Sequence, residues 1–415
     1  MRFRTWLLLL AVGGACFGWG FLSYRNQLFP YFQIRAAATS LGLVYQVSEA
    51  QPRSRQLALV QSLPYVRATF DERGNEAGVV TASSEALPGY NFYNAWQHSA
   101  AYLIDMEGRV LHEWSYDFRG RQWHHAELLP DGSVLVVLRD GGVAKLGADS
   151  NLIWLHRSRA HHDLWVHDTG EIYVIEGNEA LVPEIHPQLP AFFDKITILS
   201  PNGIVKEEFS LLETIQRSAY SYLLPSFAQD TFPDEIKSID VLHANHVEVF
   251  DGGKEHLWEL YKRGNILVSM KHLNAIAILD GVSKEILWLW GPTNISLQHH
   301  PRPLANGNIL LFDNGTSRSR AIEIEPRTGR IAWKYENGDA FFSPWGGAVQ
   351  RLSNGNTLIT NSNAGRAFEV TPEGKIVWEF ANPIVFNDGN RLNIWRLTRF
   401  GESDPGLPQV ILSPN

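Results

Sequence analysis

Cysteine is nearly missing: Cys16 is the single thiol in 415 residues. That excludes an intramolecular disulfide and any metal site built on two cysteines, and it leaves cysteine silent on compartment. No basic cluster occurs either, and 36 Lys+Arg against 44 Asp+Glu give a formal charge of −8. Nucleic acid is therefore not an expected partner. Histidine stops early, all 15 lying between His98 and His300. Long apolar runs are missing except at the start, where residues 5–24 carry no charge between Arg4 and Arg25. At about 1.5 Å per residue a helix of that length crosses an apolar layer of about 30 Å. No A-x-A site follows it closely, so residues 1–25 read as an uncleaved transmembrane anchor, with a cleaved signal peptide as the rival. The positive flank stays inside. The expectation is a single-pass inner-membrane protein with the rest of the chain on the periplasmic, extracytoplasmic side. Residues 26–88 lack any turn-strand rhythm and read as a juxtamembrane helix and linker.

What the chain has in quantity is aromatic side chains and glycine-marked turns. Residues 298–335 hold an apolar strand after Asn306-Gly307, a second after the polar turn from Asn314 to Arg320, and a third after Thr328-Gly329 that ends on Trp333. Residues 345–380 repeat this order through Asn354-Gly355-Asn356 and Glu373-Gly374 to Trp378. Trp288, Trp333 and Trp378 are spaced 45 residues apart. A four-stranded unit recurring at about 40–50 residues is the period of a β-propeller blade. Complete units span 124–156, 161–209, 243–290, 298–335 and 345–380. The hairpin at 101–114 lacks inner strands, and the tail, at 384–386 and 393–399, is expected to supply both. The fold predicted is all-β, a six-bladed β-propeller over 89–400 with a tail at 401–415. Closure by both termini leaves no free sheet edge. The insertion at 211–240 is expected to be helical and to lie over one end of the ring.

Counting back eight residues from the turn glycine gives His124 from Gly132, His162 from Gly170 and His299 from Gly307, while Gly355 leads to Gly347. His243 stands at the matching place of the 243–290 unit. Equivalent positions of a propeller converge on one end of its channel, so these four side chains are expected to meet, with Arg320 nearby. The plainer alternative is that each holds a neighbouring blade. No metal site is expected, because adjacent strand residues such as His161 and His162 point to opposite faces and each pair then offers one ligand. Arg318 and Arg320 follow a hairpin turn, and a guanidinium beside imidazoles suits an oxyanion such as sulfate or phosphate. Arg320, nearer the strand, takes that assignment.

These residues resemble a known group, the bacterial arylsulfotransferases that use no nucleotide sulfate donor. The most specific matches are Asp240-Val-Leu-His243-Ala-Asn245, Gln298-His299, Leu311-Phe312-Asp313-Asn314, Ser319-Arg320 and Asn354-Gly355-Asn356. The resemblance implies a six-bladed propeller that moves a sulfuryl group from a phenolic sulfate ester to another phenol by way of a histidine, with no cofactor. It implies catalytic roles for His243, His299 and Arg320, and His124, His162, Asn245 and Asn314 are the expected substrate-binding residues. The family's carrier histidine lies on a later blade. The matching stretch here reads Ser343-Pro-Trp345-Gly-Gly347, so the carrier role falls to His299 or His243. The competing class is a propeller without turnover that holds an anionic ligand or a membrane-protein partner.

Overall fold

Middle strands of the meanders are largely apolar on both faces. Val134–Leu138, Ile266–Met270, Ala275–Leu279 and Ile309–Asp313 are buried at every position, whereas the outer strand Val205–Ser210 is exposed over most of its length. That gradient is what face-to-face sheets require, with each fully buried Val, Leu or Ile contributing about 1.5–3 kcal/mol. The computed structural model describes residues 68–70 and 76–411, apart from 97, 229, 231, 233–234, 386–389 and 409–410. The expected anchor at 1–25 and most of the expected juxtamembrane helix lie outside the described residues. Among the described residues no helix is long and apolar enough to cross a membrane.

Six antiparallel sheets form the ring. Blade 1 consists of Arg396–Phe400, Tyr90–Asn94, Ala100–Ile104 and Val110–Ser115, from the channel outward. Blades 2 to 6 begin with the inner strands Trp123–Leu128, Ala160–Val166, Ala244–Val249, His299–Pro303 and Ala348–Arg351, and each then runs outward in chain order. Six blades and closure by both termini agree with the sequence reading, but the division of blade 1 does not. The tail gives one strand, Arg396–Phe400, which pairs with Tyr90–Asn94 rather than with the 101–114 hairpin. Around 384–386, Val385 makes only an isolated bridge to Arg391. The stretch 78–88 is not plain linker either, since Gly78–Ala82 adds a fifth strand to the outer edge of blade 6.

The tryptophan period has a physical cause. The indole N–H groups of Trp114, Trp154, Trp333 and Trp378 donate to the carbonyls of Gly132, Pro201, Pro372 and Met106, each on the following blade, at 2.8–3.2 Å. The ring therefore closes with the same lock it uses between neighbours, Trp378 of blade 6 reaching blade 1. In blade 4 the residue against the next blade's turn is Trp290, not Trp288. A Cβ at Gly329 would lie 2.8 Å from the Trp290 nitrogen, so only glycine lets the indole in. Trp288 instead packs edge-on against Trp258. Closure is also clasped by Arg399 of the tail strand, wholly buried against Glu369 of blade 6 at 2.8 Å, with further donations to Asn91 and the Leu87 carbonyl.

Blade 3 extends beyond the others through the nine-residue strands Ile172–Ala180 and Ala191–Leu199. The insertion packs on this extension. Its helix Leu211–Arg217 starts where Ser210 Oγ accepts the Glu213 N–H, and Leu211, Leu212 and Ile215 sink into a cluster with Ile185, Phe193 and Phe227. Downstream, residues 235–238 reach one end of the channel and wall a cavity there.

Candidate functional site

The inner strands of blades 2 to 5 do not alternate cleanly. Each carries a register shift near its start, at Trp123/His125, Ala160/Leu164, Ala244/His246 and His299/Arg302. His162, His243 and His300 adopt φ of +59°, +51° and +49° there, a left-handed conformation that costs a non-glycine residue about 1–3 kcal/mol and tends to persist at functional sites. The left-handed step breaks the two-residue alternation on which the argument against metal rested. His161 Nδ1 and His162 Nδ1 lie 2.8 Å apart instead of on opposite faces.

Two layers of imidazole result. In the outer one, ring centroids run from His124 to His162 at 5.5 Å, to His243 at 4.7 Å and on to His272 at 4.6 Å. Trp395, from the closing segment, stacks flat on His124 at 4.9 Å. A cavity of about 320 Å³ opens here, walled by His124, His161, His162 and His243 together with Arg139, Arg159, Phe192, Asp194 and Asp240. The inner layer is an ionic network. His246 Nδ1 lies 2.6 Å from Asp163 and Arg396 donates to the same carboxylate at 3.0 Å, with His125 and His300 alongside. Burial pushes the Asp163 carboxyl up, but Arg396 and His246 outweigh it and hold it well below the usual carboxylate range.

Burial is the first cause that keeps the outer imidazoles neutral. Arg139 adds to the effect on His124 and Lys271 to that on His243. His162 is depressed by burial and then by His243. His299 is lowered to about 3 by burial and by Lys271, against opposing bonds from Asn314 and the Leu297 carbonyl. Those two bonds fix its tautomer: Nδ1 faces Asn314 Oδ1 at 2.7 Å and the Leu297 carbonyl at 3.0 Å, both acceptors, so Nδ1 holds the proton and Nε2 the lone pair. Asn314 is itself anchored by donating to the carbonyls of Ser343 and Gly346. Lys271 is lowered to about 8 by its burial, with Asp240 opposing, and its ammonium sits 5.9 Å from the Trp345 ring.

The four register-matched histidines thus fall at one end of the channel. His124, His162 and His243 wall the cavity, and His299 is close enough to depress the latter two. Arg320 is not with them. Its guanidinium is taken up by Asp313 and the Asn294 carbonyl, in a separate cleft whose lining contains no histidine. Asn245 serves as a strut to the next blade, donating to the Gln298 carbonyl at 2.7 Å. Asn314 orients His299. Sequence reasoning missed Lys271, His272, Trp395 and Arg396. The first two close the hairpin after Ile266–Met270 through a 3₁₀ turn ended by Asn274 in the left-handed region, and the adjacent Lys-His pair was the available signal. The last two arrive only through ring closure.

Ser343 and Gly347 explain the missing later histidine. Ser343 is fully buried, and its hydroxyl bonds the Gly346 carbonyl and Asn363. A Cβ at Gly347 would meet the Phe312 ring at 2.4 Å. This blade has no room for a side chain at the register position.

Fold and site together define a six-bladed propeller with a histidine-walled cavity at one end of its channel. The chain belongs to the arylsulfotransferase (ASST) family, whose profile matches residues 125–383. No curated protein matches it in sequence. Solved structures that resemble it include a protein of unknown function from Bacteroides caccae, with 13% identity over 75% of this chain and 98% of that one and a TM-score of 0.48. Streptogramin B lyase shows 11% identity over 81% and 96%, at 0.45. Virginiamycin B lyase from Staphylococcus aureus shows 11% over 76% and 88%, at 0.43.

Proposed function

We propose that the chain transfers a sulfuryl group from a phenolic sulfate ester to a phenol, with His299 as the carrier. The observation that carries this reading is the state of His299, a neutral imidazole locked by Asn314 in the tautomer that leaves Nε2 free. His243 is the weaker candidate. It lies beside the carboxylates Asp240 and Asp194, which oppose an incoming sulfate, whereas His299 has neutral acceptors and the Lys271 ammonium near it. Arg139 and Arg159 wall the cavity as cations, and Phe192, under the Arg159 guanidinium at 5.0 Å, gives the aryl ring an apolar face.

In the first step His299 Nε2 attacks sulfur, the bond from sulfur to the aryl oxygen breaks, and the phenolate leaves with the electron pair. In the second the acceptor, as its phenolate, attacks the same sulfur, the N–S bond breaks, and His299 is restored. One difficult displacement becomes two easier ones. Lys271 stabilises charge on the sulfuryl oxygens in both. Anchoring through residues 5–24 would hold this activity on the extracytoplasmic face.

The test is transfer from a chromogenic aryl sulfate to phenol by the detergent-solubilised full chain, followed from about pH 5 to 7. An ordinary histidine nucleophile loses activity as pH falls through about 6.5. His299, lowered to about 3, stays unprotonated, so the rate of sulfur attack is expected to be flat across this interval. A chain that binds the ester and never turns it over is a binding module instead.

A further inference from the structure

An acceptor phenol has a pKa of about 10, as tyrosine does, so near neutral pH it must lose its proton before it can attack sulfur. Most groups at this end of the channel are poor bases for that task. Burial holds His124, His162, His243 and His299 well below the usual imidazole range, so their lone pairs are weakly basic toward a phenol. The guanidinium groups of Arg139 and Arg159 never give up a proton. Asp194 is already engaged, accepting the Ala244 N–H at 2.7 Å with His161 Nε2 at 3.1 Å.

Lys271 is different. It is 3% exposed, and its ammonium makes no hydrogen bond or ion pair among the described residues. A buried charge without a partner is unfavourable, and a lysine so placed gives up its proton far more readily than one in water. The fold fixes where the amine stands. The Lys271 N–H donates to the His243 carbonyl at 3.1 Å as the 3₁₀ turn begins, and Nζ lies 5.9 Å from the ring of Trp345, whose own N–H donates to Asn363. Blade 4 thus extends the amine toward the loop that leads into blade 6. Of the titratable groups around it, Asp240 opposes the effect of burial, while His243, His272 and His299 all feel its charge; the 343–347 loop carries none. Burial is the larger effect and lowers the amine to about 8, between neutral water and a phenol, where one group serves well as both acid and base.

We propose that Lys271 is the general acid and base of the transfer, an assignment that rests on the sulfuryl-transfer reading above. As the bond from sulfur to the donor's aryl oxygen breaks, the ammonium passes one proton to that oxygen, and the departing phenolate is released as phenol beside a neutral amine. The amine then takes the proton of the acceptor phenol as its oxygen attacks sulfur, which restores the ammonium. One proton goes out and one returns.

The full chain in detergent is compared with Lys271→Arg, which keeps the positive charge and cannot give up a proton. Two donors separate the roles, because nitrophenolate leaves readily without a proton and phenolate does not. Lys271→Arg should lower kcat/KM for phenyl sulfate by roughly 10²–10⁴-fold and for nitrophenyl sulfate by less than about tenfold. In the unaltered chain the ratio of kcat/KM for phenyl sulfate to that for nitrophenyl sulfate should fall as pH rises through about 8, since the ammonium is the acid; this measurement stands even where circular dichroism shows the variant unfolded. Equal losses on both donors in folded Lys271→Arg, or a ratio that does not change with pH, overturns the proposal and leaves the carrier histidine in place. No transfer from either donor by the unaltered chain removes the sulfuryl-transfer reading and this proposal with it.

Discussion

Replacing His299 by alanine is expected to lower aryl-sulfate turnover by at least about 10³-fold, because the group proposed to form the covalent bond is gone while the neighbouring cavity, which His299 does not line, remains. Aryl sulfate still binds, so the loss appears in kcat rather than in KM. Asn314→Ala tests the tautomer argument. Without the 2.7 Å bond only the Leu297 carbonyl at 3.0 Å still holds the Nδ1 proton, so the ring is less firmly set and the Nε2–H tautomer gains population, for a loss of roughly 10²-fold at unchanged KM. Steady-state kinetics on the three proteins check this. Equal turnover in His299→Ala and the unaltered chain rejects His299 as carrier, and a loss confined to His243→Ala would move the role there. Arg320→Ala is expected to leave turnover near its starting value, since Arg320 lies in a separate cleft.

The second large effect is on stability. Arg399 and Glu369 are both wholly shielded from solvent, and the Arg399 guanidinium also stacks on Trp378 at 4.5 Å. Arg399→Leu strands the Glu369 carboxylate in the seam between blades 6 and 1, which costs about 3–5 kcal/mol. The double replacement Arg399→Leu with Glu369→Leu should recover much of that, because the cost lies in the unpaired charge and not in the absent pair. Urea unfolding midpoints at neutral pH measure both. A single variant as stable as the unaltered chain would mean that the clasp does not hold the ring.

The blades were legible because their markers answer to local physics. The turn glycines Gly132, Gly170, Gly307 and Gly355 all have φ between +81° and +88°, which only glycine adopts cheaply, and Trp114, Trp154, Trp333 and Trp378 each donate to the next blade. The division of blade 1 was not legible. Tyr90–Asn94 and Arg396–Phe400 are more than 300 residues apart, and nothing local in either says how many strands each terminus contributes. The site was half legible. Register alone located His124, His162, His243 and His299, but it assumed regular strands, and the left-handed step at His162 places His161 and His162 on the same side. Arg320 was assigned from its place after a hairpin turn, nearer the strand than Arg318, and the family resemblance agreed; its partner Asp313, seven residues back across that hairpin, decides where it points.

The central claim is that the sulfuryl group rests on His299 between donor and acceptor. The most direct measurement is mass spectrometry of the chain quenched in alkali during turnover of an activated aryl sulfate with no acceptor, followed by peptide mapping. The account predicts that the peptide containing His299 gains the mass of one SO₃, and that added phenol discharges it. Turnover with no such adduct, or an adduct on any other residue, contradicts it.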